Sequence, residues 1–293
     1  MILIIIILVL LIIAISFIIW SLCKKQNYYE QYEDIYSNFA KNLNSINKKV
    51  RKNNFTYFQV SYEITEWAIK QIKKITDNCS HKFFILNSLY RGDPNLEFNY
   101  SHTMADKVVL SDNDYQILLN DYNKKSINSH ILSTIIHEFV HVHQRQNFDT
   151  YKEFYTTHWG YHFSKIKNNH KLLKYKRQNP DADDDDCIWN DGQDNYYFIN
   201  CFFDKQNLSP YIINEYAYPI KKEGTHFIYK NEEPILLSSL ESYNNFFGNT
   251  PNNYTPNEIY ADYTEMLFRE CTDPLPEKLP PAFIIFKKNY LLK

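Results

Sequence analysis

The chain opens on "MILIIIILVLLIIAISFIIW", an unbroken apolar run from Met1 to Trp20 that gives way to Ser21-Leu22-Cys23 and then Lys24-Lys25. A helix rises about 1.5 Å per residue, so a run of this length matches a hydrocarbon core about 30 Å thick. A buried core helix would carry polar residues on one face, and this run has no such face. A signal peptide would begin with a basic residue, run shorter and end at a small-residue cleavage site. The sequence therefore predicts an uncleaved single-pass anchor over residues 1–23, seated in a lipid bilayer. Lys24, Lys25, Lys41, Lys48, Lys49, Arg51 and Lys52 follow the run and nothing basic precedes it. The positive-inside tendency then puts the large domain on the cytoplasmic side.

Beyond the anchor, Tyr28, Tyr32, Ile35, Phe39, Leu43, Ile46 and Val50 recur at helical spacing, which predicts an amphipathic juxtamembrane helix or stalk over residues 24–52. Residues 53–293 show no internal boundary and read as one domain. Its class follows from what the composition excludes. A net charge of -2 without a basic stripe argues against a nucleic-acid partner, and 5 Gly leave no glycine-rich phosphate loop. An aromatic content of 17% supplies a packed core. Cys79, Cys187, Cys201 and Cys271 can pair or remain thiols.

Strand-like alternation marks "TYFQVSYEI", "KFFILNSL" and "KVVLS", with a helix over "EWAIKQIKKI". A helix starting near Asn128 or Ser129 runs towards Arg145, and an aromatic helix is expected over "TYKEFYTTHWGYHFSKI". Residues 171–250 turn β-rich, with "YYFINCFF", "YIINEYAY" and "THFIYK" as strands and Asn190-Asp191-Gly192 as a hairpin turn. "PNEIYADYTEMLFRE" reads as a helix and "AFIIF" as a final strand. The acidic run Asp181 to Asp186 can be read as a calcium loop, but its spacing fits no EF-hand, and a solvated acidic loop is expected.

The chemistry sits in "STIIHEFVHVHQRQ". His137 and His141 lie four apart, so on a helix both imidazoles reach one ion, and neutral imidazole suits zinc. Glu138, one position round, is placed to take a proton from a water that the metal activates and return it to a leaving amine. The bland alternative is two core histidines beside an ordinary Glu. His143 falls on another face, and His130 lies two turns back. A catalytic zinc needs a third protein ligand, leaving one position open. "TPNEIYADYTEM" offers Glu258 as that ligand and Asp262, one turn later, as the acceptor that orients a ligating His. Thr255-Pro256-Asn257-Glu258 is also a capping box, which would employ Glu258 on backbone amides instead. Glu215, in "IINEYAYP", competes as third ligand, and His158 with His162 forms another four-apart pair expected to pack on its helix.

His137-Glu138-Phe139-Val140-His141 followed by Glu258-Ile259-Tyr260-Ala261-Asp262 resembles the gluzincin branch of the zincin metallopeptidases. The resemblance implies an α+β zincin-like domain with an active-site helix, a small mixed sheet whose edge lines the substrate cleft, and one Zn2+ between two helices. It implies hydrolysis of a peptide or protein substrate, with Glu138 as general base. The 116 residues from Val142 to Asn257 depart from the family's shorter spacing and make the β-rich segment an insertion. Two other readings remain: an inactive membrane-anchored structural or envelope protein that keeps the fold, and zinc-dependent hydrolysis of another bond.

Overall fold

The computed structural model describes residues 57–291 with 78, 93, 95–98, 105, 168–175, 177–186, 204–212, 231 and 251 left out. All of these belong to one unit, Ile46–Lys293. The predicted anchor, the stalk over 24–52 and the acidic run 181–186 lie outside the described residues. Among the described residues no helix is long and apolar enough to cross a membrane.

The architecture is mixed α/β, with seven α-helices and two mixed sheets among the described residues. The first sheet joins β1 (Tyr57–Gln59), β2 (Leu89–Gly92), β3 (His102–Met104) and β4 (Lys107–Leu110) in the order β1-β2-β4-β3. β2 runs parallel to β4, while β3 pairs antiparallel to β4 and forms an edge. Three helices accompany this sheet: α1 (Tyr62–Thr76), α2 (Asp112–Lys124) and α3 (Ser129–Gln146). Each starts where a side chain accepts from an otherwise orphaned amide: Ser61 from Ile64 N, Ser111 from Asp114 N, and Asn128 from His130 N. Their apolar faces meet the sheet through Ile64, Ala68, Leu118, Ile131, Ile135, Phe139 and Val142, packed with Leu89, Val108 and Leu110.

Between α3 and the second motif helix the chain builds α4 (Phe148–Trp159) and a seven-stranded sheet. Its strands are β5 (Tyr161–Phe163), β6 (Ile166–Lys167), β7 (Cys187–Asn190), β8 (Tyr196–Phe203), β9 (Ile213–Glu223), β10 (His226–Tyr229) and β11 (Ile235–Leu236). α5 (Glu241–Phe247), α6 (Pro256–Glu270) and α7 (Pro281–Lys288) complete the chain. The strands alternate with period two. Trp189, Ile199, Cys201 and Ala217 enter a core shared with α4 to α7, whereas Ile188, Phe198, Phe202, Tyr218 and Ile220 make a separate cluster. The shared core is aromatic, with edge-to-face pairs such as Tyr151–Tyr260, Trp159–Tyr263 and Trp189–Tyr243. Each such pair contributes about 0.5–1.5 kcal/mol beyond its buried area. Buried tyrosines need hydroxyl partners, and they have them. Tyr243 donates to Asn253 O at 2.7 Å, so the 2.7 Å contact with Tyr161 is a donation from Tyr161.

Several expectations are corrected: "TYFQVSYEI" is strand only over Tyr57–Gln59, and after the Ser61 cap it enters α1 at Tyr62. "AFIIF" is not a strand but the centre of α7, because Pro281 sits in its first turn and Ala282, Phe283 and Phe286 form a helical stripe against the aromatic core. The aromatic helix stops at Trp159. Gly160 takes φ +74°, and a Cβ there would meet Asn190 O at 2.9 Å, so the chain turns and pairs β5 with β7. His162 consequently lies on a strand and shares no helix face with His158. "KFFILNSL" gives no ladder before Leu89, and Phe83 to Leu86 pack as half-buried residues on the first core. The turn after Asn190 does join β7 to β8, but across Asp191 to Asn195. The Asp191 carboxylate accepts from Gln193 N and Asn195 N.

Cys79, just beyond α1, is disulfide-bonded to Cys271 at the end of α6, closing a separation of 192 residues. Cross-links of this kind typically contribute about 2–5 kcal/mol. Cys271→Ser is expected to lower the melting temperature by on the order of 5–15 °C. Thermal unfolding of the wild-type chain with and without reductant should show a similar shift. An unchanged melting temperature in both would mean the two thiols are not bonded.

Candidate metal centre

α3 is buried on most of its circumference, and its three faces have different tasks. Ile131, Ile135, Phe139 and Val142 meet the first sheet, and Val140 meets the aromatic core. The remaining stripe, Ser133-His137-His141-Gln144, follows the helical repeat and faces α6. α6 starts on Thr255, whose hydroxyl accepts from Glu258 N at 3.3 Å, with Pro256 in the first turn. The cap is therefore made by Thr255, and the Glu258 carboxylate is turned towards the two imidazoles.

The helices run antiparallel, and their polar residues pair in layers. Ser133 Oγ donates to Glu265 Oε1 at 3.0 Å. His137 Nδ1 lies 3.2 Å from Asp262 Oδ1. Glu258 Oε2 stands 3.4 Å from His137 Nε2 and 3.6 Å from His141 Nε2. Gln144 Nε2 donates to Asn257 O at 2.9 Å.

His137 Nε2, His141 Nε2 and Glu258 Oε2 thus converge, with the two nitrogens 3.0 Å apart. These spacings can be tested against a metal. Four donors at about 2.0–2.1 Å around a tetrahedral zinc stand about 3.3–3.4 Å from one another. The separations of 3.0, 3.4 and 3.6 Å bracket that value. The donor set, two imidazoles and a carboxylate, is one that a divalent metal ion such as zinc accepts. All three side chains are buried, His141 almost completely. Three lone-pair donors at this distance repel unless a cation lies among them, so the residues fit a metal ion.

Without a metal, a proton serves. Burial pushes the His137 imidazolium down, but hydrogen bonds to Asp262 and Glu258, with their charges and that of Glu138, outweigh it and hold its pKa well above the ordinary 6.5. Burial likewise raises the Glu258 carboxyl, and the two imidazoles override it and hold it well below the usual carboxylate range. Both directions describe one arrangement, a buried cation shared by these side chains.

Glu138 follows His137 by about 100° around the helix, is buried, and lies close enough for its charge to act on His137. Glu265 also approaches His137 Nδ1, at 3.7 Å, but it is held by Ser133 and Arg269. A second group, His137, Asp262 and Glu265, therefore shares its imidazole with the first, and Asp262 is the nearer partner. Glu215 sits in β9 opposite Cys201 and is not part of either group. Burial first, and then the Asp262 charge, push its carboxyl up to about 7. His143 bonds Tyr151 OH at 2.8 Å, and His130 is exposed at the start of α3. Gln144, Ser133 and Glu265 were not singled out from the sequence. The signal for Gln144 and Ser133 was the continuation of the His137–His141 stripe by three and four residues.

Two measurements follow from this geometry. Glu258→Gln should weaken uptake of a divalent metal ion by metal analysis, whereas Glu215→Gln should leave it unchanged; the reverse pattern would move the third ligand to β9. The second concerns pH. His137 has a raised folded-state pKa, so in the zinc-free protein its pairing stabilises fully below the unfolded value of 6.5 and is lost as pH rises through the folded value. Zinc-free melting temperatures should therefore fall from neutral into alkaline pH, and added zinc should flatten that decline. A zinc-free protein that gains stability over the same range would contradict the assignment.

No family model, curated protein or solved structure matches this chain, so the functional reading rests on the site itself.

Proposed function

We propose that the chain is a zinc-dependent peptidase of the gluzincin type, with His137, His141 and Glu258 as ligands and Glu138 as general base. The observation that carries this reading is the convergence of the three donor atoms at the spacing of a tetrahedral site. When bound, zinc supplies a Lewis acid that acidifies water and polarises a carbonyl. The protein supplies the remainder. Asp262 takes the His137 Nδ1 proton as a hydrogen bond and so directs Nε2 at the ion. The Glu138 carboxylate accepts a proton from the attacking water and delivers it to the amine nitrogen as the amide bond breaks. Burial of Glu138, at 5% exposure, keeps bulk water from competing for that proton.

The substrate reading uses β3. It is one of the two outer strands of the first sheet, antiparallel to β4 and packed beside α3, where the resemblance places a cleft-lining edge. An extended peptide or protein segment is the substrate class that such an edge accommodates. We further propose that residues 1–23 tether the domain to a bilayer. The Cys79–Cys271 bond favours an oxidising compartment for it, against the cytoplasmic side that the basic residues after the apolar run indicate.

Glu138→Gln is expected to keep the zinc and lose peptide hydrolysis by about 10²–10⁴-fold. Zinc analysis alongside cleavage of a peptide library measures both. A variant that still cleaves would remove Glu138 as base. A zinc-loaded wild type that cleaves nothing in the library would favour the inactive, structural alternative.

A further inference from the structure

Asp262 settles the tautomer of His137, but what settles that of His141 lies elsewhere. His141 Nδ1 stands 2.8 Å from Gln144 Oε1, one turn further along α3. An amide can present either its oxygen or its nitrogen to an imidazole, so this contact alone leaves the proton unassigned. The other end of Gln144 removes the ambiguity. Its Nε2 lies 2.9 Å from Asn257 O and 3.0 Å from Tyr155 OH. A main-chain carbonyl can only accept, so the group facing Asn257 must be the NH2. The oxygen then faces His141, Nδ1 must carry the proton, and Nε2 keeps its lone pair towards His137 and Glu258.

We propose that Gln144 is a positioning residue of the metal centre: it fixes His141 as the Nδ1–H tautomer and takes its own orientation from the Asn257 carbonyl. This deepens the metallopeptidase reading and rests on it for the identity of the ion. Asn257 immediately precedes the third ligand, Glu258. One buried amide therefore aims the second ligand and registers the helix that carries the third. A shift of α6 along α3 would withdraw the carbonyl, free the amide to flip, and release the His141 tautomer at the same moment. The two histidines are then supported differently, His137 by a carboxylate and His141 by a neutral amide.

The test uses the purified full chain with 15N-labelled histidine. In the zinc-free protein at alkaline pH, the ring signals lost in His141→Gln identify His141, and their shifts report which nitrogen bears the proton. The expected result is Nδ1–H in the wild type. Gln144→Met is expected to abolish that preference and weaken zinc binding by about 10–100-fold in competition with a chelating dye. Tyr155→Phe, which leaves the Asn257 and His141 contacts in place, should keep the tautomer and the affinity. An Nε2–H His141 in the wild type overturns the proposal, as does a Gln144→Met protein that retains both tautomer and affinity. If Gln144→Met does not fold, the wild-type spectrum decides. If the wild type takes up no zinc, the metallopeptidase reading fails while the tautomer assignment still tests Gln144.

Discussion

The polar seam between α3 and α6 sets the terms for the rest of the molecule. Apolar helix faces can slide past one another at modest cost, but Ser133–Glu265, His137–Asp262 and Gln144–Asn257 meet in one register only. Each buried polar group left without its partner would cost about 1–3 kcal/mol, more for the charged ones. The seam therefore contributes little net stability and much specificity. Its middle layer carries the donor cluster, whose mutual repulsion needs a proton or a metal to relieve it. The register that satisfies the outer layers is the register that brings the three donors together.

Holding that seam falls to two separate cores. The first sheet anchors α3 from one side, with α1 and α2 completing the packing. The aromatic core grips α6 through Ile259, Tyr260, Tyr263 and Leu267 and touches α3 at Val140. The long segment between the helices is therefore no obstacle to their meeting. Its second sheet presents one face to α6, and the turn before α6 is tied back by Tyr243 to Asn253. Asn252 N reaches Asp262 at 3.4 Å, so the returning chain also steadies the acceptor for His137.

The sequence made the two motif helices legible almost to the residue, because caps are local chemistry. Asn128, one of the two caps the sequence offers for α3, and Thr255 begin them. The grouping of His137 with His141 was legible too, since residues four apart share a helix face, whereas Glu258 had Glu215 as its rival until the fold placed it beside them. What failed depended on tertiary context. "AFIIF" suits a strand by propensity and became helical because its stripe faces a waiting aromatic surface. The aromatic helix was overextended since Tyr161 and Phe163 fit either period, and only the close approach of Asn190 to Gly160 decided against helix. Gln144 is not legible for a different reason. Its function lies in a main-chain carbonyl 113 residues away, and carbonyls leave no mark in a sequence.

That His141 is backed by an amide rather than a second carboxylate follows from the charge already present. Glu138, Glu258, Asp262 and Glu265 surround the histidines, and Arg269 is bonded to Glu265. Two like charges about 4 Å apart repel by about 4 kcal/mol even at an effective dielectric of about 20. Burial first, and then the Asp262 charge, hold the nearby Glu215 carboxyl up at about 7. An ionised carboxylate at position 144 would face the same field and would offer nothing to donate to Asn257. Glutamine accepts from the imidazole and donates to the carbonyl without adding charge. The residue type at 144 is thus dictated from both ends, by a ligand that must give a hydrogen bond and a backbone that must receive one.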